Sequence, residues 1–259
     1  MNVLKISSAV KYFEDNRALD GLDLSLESGT ILGLVGPNGA GKTTTINVIS
    51  SILKLDEGTV TIFDEDSIHS NIETKKRIGI LYDDMQNLFP YLKGEEFLSF
   101  TGEIYGLDRE IIEDRTDRLF RFFDLDNFRN KLLDEYSKGM KKKIALASLL
   151  IYNPEFLILD EPFEGLDALT LVKVRKLFAI LKKKNRTILL SSHILAYLED
   201  LADEIAIINK GKIVYRANIK DIRNKIKDKV THETYNSLEE IFIDMTGNQK
   251  DDEDLLSWL

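Results

Sequence analysis

Cysteine is absent from the 259 residues of this chain, so neither disulfide cross-links nor thiolate metal sites can contribute to it. Long apolar runs are absent too. Stretches such as "ILGLVG", "FLILD" and "TILLSS" fall far short of the ~18–20 residues that span a bilayer, so any membrane association must run through a partner. Positive charge is in short supply. With 35 Lys and Arg against 44 Asp and Glu the net charge is -9, which argues against a broad nucleic-acid surface, and no nucleic-acid partner is expected. The opening "MNVLKISSAVKYFEDN" lacks the apolar stretch and cleavage site of a secretory signal, so a cytoplasmic location is expected. Histidine occurs only three times, and no internal repeat is visible.

With 43% hydrophobic and 31% charged residues, the chain can bury a substantial core, as one large domain or a core plus a subdomain. Short apolar runs rich in β-branched residues alternate with amphipathic segments: "TILGLVG" then "TTTINVISSIL"; "RIGILY"; "EFLILD" then "LTLVKVRKLFAILKK"; "TILLSS" then "AYLEDLAD"; "EIAIIN". Continuous apolar strands separated by helices predict an α/β fold with a parallel sheet covered on both faces. Residues 89–135, without a strand run, read as an inserted helical subdomain, in which Phe97, Phe100, Leu119, Phe120 and Phe123 recur at helical spacing as core. After Ala217 the pattern weakens. Ser237 and Glu240 have capping-box spacing for a short helix, and the acidic end "NQKDDEDLLSWL" is expected to be disordered.

"GPNGAGKTT", from Gly36 to Thr44, fits the phosphate-binding pattern G-x-x-x-x-G-K-[ST] and sits between an apolar strand run and an amphipathic helix, as the motif requires. Gly36, Gly39 and Gly41 allow backbone N–H groups to close around phosphate oxygens, Lys42 supplies charge to the β- and γ-phosphates, and Thr43 is placed for Mg²⁺. "FLILDEP" brings Asp160 and Glu161 to the carboxyl end of a buried strand, where ligands of parallel α/β folds bind. Asp160 is expected to orient Mg²⁺ and Glu161 to align or deprotonate an attacking water. His193, at another strand end, could reach a γ-phosphate or Glu161, whereas His69 and His232 lie in polar segments. In "EYSKGMKKKIALASLL", Lys138, Lys141, Lys142 and Lys143 crowd a helix start whose dipole is already positive; the segment alone favours a solvated basic surface, and the alternative is an anion held against it by Ser137 and Gly139.

These motifs, in this order, resemble the ATP-binding subunit of an ABC transporter over nearly all of residues 1–247. The resemblance implies a P-loop NTPase core with a mixed, mainly parallel sheet, an N-terminal antiparallel β subdomain and an inserted α-helical subdomain. It implies an ATPase domain at 1–220, with the helical subdomain at about 89–150, and a C-terminal extension at 221–259. ATP and Mg²⁺ are the implied ligands, with Pro37, Asn38, Ala40 and Thr44 completing the cradle around Gly36, Gly39, Gly41, Lys42 and Thr43. "YSKGM" corresponds to the family's signature, usually LSGGQ, so Ser137 and Gly139 are implied to bind the γ-phosphate held by an opposite subunit. Asp167 in "EGLD" matches the loop that couples the two sites, and Phe13, with Tyr12 beside it, matches the adenine-stacking position. Two departures stand out: Tyr136 and Lys138 replace the signature's Leu and first Gly, and Asp83 falls where a glutamine is expected, with Gln86 three residues on. Asp83 could serve Mg²⁺ through its carboxylate, or Gln86 could take over.

The resemblance further implies a homodimer, or a heterodimer with a similar subunit, acting on an integral membrane permease from the inner face of the cell membrane. "YSKGMKKK", "SLEEIFIDMTG" and the short tail favour export. A soluble ATPase of the same superfamily is the alternative, and a GTP switch is disfavoured because "NKGK", Asn209 to Lys212, has Lys where N-K-x-D needs Asp.

Overall fold

The computed structural model describes residues 2–83, 89–223 and 238–247. Gln86, His232, Ser237 and the acidic end lie outside these residues. Two sheets form the framework. The larger has the order β10-β9-β3-β8-β7-β6, built from β3 (Ile31–Val35), β6 (Ile78–Leu81), β7 (Phe156–Leu159), β8 (Thr187–Ser191), β9 (Glu204–Asn209) and β10 (Lys212–Asn218). Its first five members in space from β6 to β9 run parallel, and β10 joins antiparallel at the edge. The smaller sheet, order β2-β1-β4-β5, is antiparallel and consists of β1 (Asn2–Phe13), β2 (Asn16–Glu27), β4 (Glu57–Ile62) and β5 (Glu65–Asp66).

Every residue of β3, β7 and β8 is buried, because both faces of the larger sheet are covered. Successive side chains divide between two cores, as the period of two requires. Leu32, Leu34, Ile158, Leu189, Ala206 and Ile208 face the antiparallel sheet and α1 (Lys42–Ile49). Ile31, Val35, Leu157, Leu159, Ile188 and Leu190 face a helical layer that includes α6 (Ala168–Lys183) and α7 (Leu195–Leu201). The five parallel strands are the runs singled out in the sequence. Strand β10 was not anticipated, since its alternating half-exposed pattern carries no continuous apolar signal.

Between β6 and β7 lie α3 (Gly94–Ile104), α4 (Arg109–Phe123) and α5 (Lys138–Leu150), preceded by the short α2 (Ile72–Lys76). Phe97, Phe120 and Phe123 are buried as expected, with Leu119 packed against them. Phe100 is not core: it is 40% exposed and packs edge-on against Phe89 at 5.4 Å. The buried stripe of α3 runs through Gly94, Phe97, Leu98 and Gly102, and a residue two beyond Leu98 is turned about 200° away from it. Two further helices, α8 (Ile219–Arg223) and α9 (Leu238–Thr246), close the described chain.

Because β6, β7, β8 and β3 are parallel, the residues that follow them emerge at one edge: Asp83, Asp160 with Glu161, His193, and the glycine loop.

Candidate active site

The loop from Gly36 to Gly41 leaves β3 and turns directly into α1. Two of its glycines admit no side chain. A Cβ on Gly36 would stand 2.3 Å from the Ile208 carbonyl, and one on Gly41, which has φ 111°, would stand 2.8 Å from the Ala18 carbonyl. A cavity of 730 Å³ opens over the loop, with Gly36, Pro37, Asn38, Gly39, Gly41, Lys42, Thr43 and Thr44 in its wall. Ala40 is turned inward instead. It is buried in the core, and its N–H donates to Pro37 O at 3.1 Å.

Lys42 is 8% exposed, and its ammonium donates to the carbonyls of Gly36 at 2.7 Å and Pro37 at 3.2 Å. Burial pushes its pKa down, while Glu161 and Asp160 oppose that shift by favouring the charged form. At the foot of the loop the Thr43 hydroxyl donates to Asp160 Oδ2 at 3.2 Å. Asp160 is itself buried and receives the Ser191 hydroxyl on its other oxygen. That same hydroxyl accepts from the Glu161 N–H at 3.1 Å. Ser191 therefore orders both acids, a role the sequence reading missed because it depends on β7 and β8 lying side by side.

Glu161 has φ 45°, a left-handed conformation that a non-glycine residue adopts only at a cost, of order 1–3 kcal/mol. The turn aims its carboxylate at His193, whose Nδ1 lies 2.9 Å from Oε2. Glu161, His193, Asp160 and Asp83 all line the cavity. Phe13, Asn16 and Ala18 line it too, while Tyr12 lies under the Arg17 guanidinium at 5.5 Å. Phe242 of α9 also lines the cavity and was not foreseen. More than 200 residues separate it from Phe13, so no local pattern could have flagged it.

Ser137, Gly139 and Asp167 are absent from this wall. Ser137 is the exposed N-cap of α5 and accepts from Met140 N–H at 3.3 Å. Asp167 caps α6, accepting from the Thr170 N–H at 2.9 Å and hydroxyl at 2.8 Å, and these bonds hold its carboxyl below the ordinary range. Carboxylates of the same chain lie against the lysines of α5. Lys138 pairs with Glu164 at 2.7 Å, Lys142 with Asp83 at 3.1 Å, and Lys141 and Lys143 lie 4.0 Å from Asp134 and Asp167. Tyr136, the departure from the signature's Leu, is buried in the helical subdomain and donates its hydroxyl to Phe128 O at 2.8 Å. Burial raises its pKa to about 12.

A glycine cradle with its lysine and a strand-end acid pair in one cavity define a P-loop nucleoside triphosphate hydrolase. The family described as ABC transporter matches residues 19–164. The ABC transporter ATP-binding protein NatA of Bacillus subtilis (strain 168) is 32% identical, over 85% of this chain and 91% of its own length. The bacitracin transport ATP-binding protein BcrA of Bacillus licheniformis is 33% identical, over 82% and 68%. A solved structure of an ATP-binding subunit of an ABC transporter superposes with a TM-score of 0.85 at 27% identity, covering 94% of this chain and 99% of the other. The chain belongs to the ATP-binding subunits of ABC transporters, which bind and hydrolyse ATP.

Proposed function

We propose that two copies of this chain, or one copy and a similar subunit, close on two MgATP molecules and drive a separate integral membrane permease from the cytoplasmic side. The observation that carries this reading is a division of labour within one chain. Glycine loop, Asp160, Glu161 and His193 share a cavity, whereas Ser137 and Gly139 stand outside it, with Ser137 exposed at the start of a helix. Such a helix end, rich in N–H donors, suits a phosphate presented by another molecule.

Within one site, the loop N–H groups and Lys42 receive the phosphates, and Phe13 offers its face to the adenine. The Thr43 hydroxyl and the Asp160 carboxylate, 3.2 Å apart, are hard oxygen donors and would hold Mg²⁺. When bound, Mg²⁺ neutralises charge developing on the transferred phosphoryl group. Glu161 aligns the attacking water and accepts its proton, and His193 holds the Glu161 carboxylate toward the cavity. Asp83 serves the Mg²⁺ and γ-phosphate end from the wall after β6. We divide the chain into an ATPase domain at 1–220, whose helical insert meets the permease, and an extension at 221–259.

Export is the favoured direction, supported by the likeness to a bacitracin transport subunit. No helix among the described residues is long and apolar enough to cross a membrane, so the permease is a separate requirement of this reading. Glu161→Gln keeps nucleotide binding, lowers turnover by ~10²–10⁴, and accumulates an ATP-loaded dimer measurable by light scattering. A monomer at saturating ATP contradicts the scheme. Co-purification from native membranes tests the permease, and recovery without any membrane protein favours a soluble ATPase.

A further inference from the structure

Helix α5 opens with four lysines within six residues, and three of them are ordinary partly exposed ion pairs. Lys142 differs. Its side chain is 1% exposed, among the largest fully buried side chains of the protein, and its ammonium lies 3.1 Å from Asp83 Oδ1. Asp83 is two residues beyond β6, whose Leu81 pairs with Leu159 and accepts from the Asp160 N–H at 2.8 Å. The Asp83 carboxylate, 44% exposed, therefore has the buried ammonium on one side and the ATP cavity on the other.

The neighbouring charges continue the alternation. Glu164 also lines the cavity and is bonded by Lys138, and its carboxyl is held below the ordinary range by Lys138 first and by Lys142 further off. A bare carboxylate at this wall would repel a triphosphate, and a buried ammonium behind it removes that repulsion.

We propose that Lys142 is a positioning residue of the ATP site, whose buried ammonium fixes the Asp83 carboxylate at the cavity wall and cancels its charge toward the phosphates. This rests on the assignment of Asp83 to the ATP cavity. Asp83 and Lys142 are one unit, an ion pair standing where a neutral glutamine is usual. The unit predicts a compensation that a purely structural lysine does not. Removing the ammonium alone adds one net negative charge to the wall facing ATP, and removing both members of the pair takes that added charge away again.

The test is equilibrium binding of ATP to the full chain, with Mg²⁺ chelated by EDTA and again with Mg²⁺ present, together with steady-state kcat and KM. Lys142→Gln is expected to weaken ATP binding without Mg²⁺ by up to about tenfold, the effect of withdrawing one cation from the cavity wall, with Lys138, which also feels the Asp83 charge, still in place. Lys142→Arg should retain wild-type affinity, and Asp83→Asn added to Lys142→Gln should recover most of the loss. Wild-type affinity in Lys142→Gln, or a double variant no better than the single, overturns the proposal. Should Lys142→Gln not fold, Asp83→Asn alone decides, because withdrawing one negative charge beside the ammonium must leave ATP affinity without Mg²⁺ at or above wild type and a fall overturns the proposal. Unchanged kcat in Asp83→Asn alongside intact compensation would remove Asp83 from the Mg²⁺ end while leaving this charge pairing in place.

Discussion

Ser191 sits at the meeting point of the two acids, with its hydroxyl donating to Asp160 and accepting the Glu161 N–H, and it is fully buried. Glu161 needs that acceptor more than most residues do, since its left-handed backbone has no strand partner to hold it. Ser191→Ala removes the acceptor of the partly buried Glu161 N–H and a donor to buried Asp160, a loss of about 1 kcal/mol or more in stability. Part of it falls on the placement of the acids. A cut in kcat of about tenfold with little change in KM is expected, equivalent to ~1.4 kcal/mol in the transition state. Ser191→Thr keeps the hydroxyl and should keep most of kcat. A kcat loss shared equally by both variants would show that the volume of the side chain matters and its oxygen does not. Residues of this kind were invisible in the sequence, whereas the gathering of Lys42, Thr43, Asp160, Glu161 and His193 about one cavity was legible there. The latter belong to loops whose residue types the phosphate chemistry dictates, and Ser191 depends on strand order.

At the scale of elements, the helical insert shows how a departure from a family pattern becomes structure. Tyr136 fills a space against α3 that exists only because residue 94 is glycine. A Cβ there would stand 2.1 Å from the Tyr136 hydroxyl oxygen and 3.1 Å from Phe120. Gly94→Ala is expected to destabilise by ~1–3 kcal/mol through overpacking, visible in chemical denaturation. Tyr136→Leu, which restores the residue usual in the signature, should relieve that clash, so the double variant is more stable than the sum of the singles. Strict additivity would place the strain elsewhere. The five parallel strands and the insert were legible because their apolar runs are continuous or helically spaced. Exposed β10 and the docking of α9 were not. Leu238 and Ile241 are buried, and Asn209 Nδ2 donates to the Met245 and Thr246 carbonyls at 3.4 and 3.5 Å, contacts made entirely with distant residues.

For the whole molecule, the excess of acids sets two opposite responses to acidification. Neutralising dispersed negative charge relieves repulsion in a chain of net charge -9. Against this stand carboxyls held below their ordinary values by native partners. Glu155 is bonded by Arg77, which also stacks on Phe63 at 3.6 Å; Glu164 is bonded by Lys138; Asp117 by Arg129; and Asp167 by Thr170. A carboxyl whose folded pKa is depressed contributes stability above its unfolded value, here 4.5 for glutamate and 3.8 for aspartate, and loses it as pH falls through the folded value. Exposed charges further apart than ~8 Å are largely screened at physiological salt, while these pairs are in direct contact, so the paired groups win. The melting temperature is expected to stay level between about pH 8 and 5 and to fall below about pH 4.5, where the protonated carboxyls no longer hold their partners. Glu155→Gln should flatten the upper part of that decline, because the Arg77 pair ties the entry of β6 to that of β7. A melting temperature that climbs as the pH is lowered to 4 would mean that relief of net charge outweighs the native pairs.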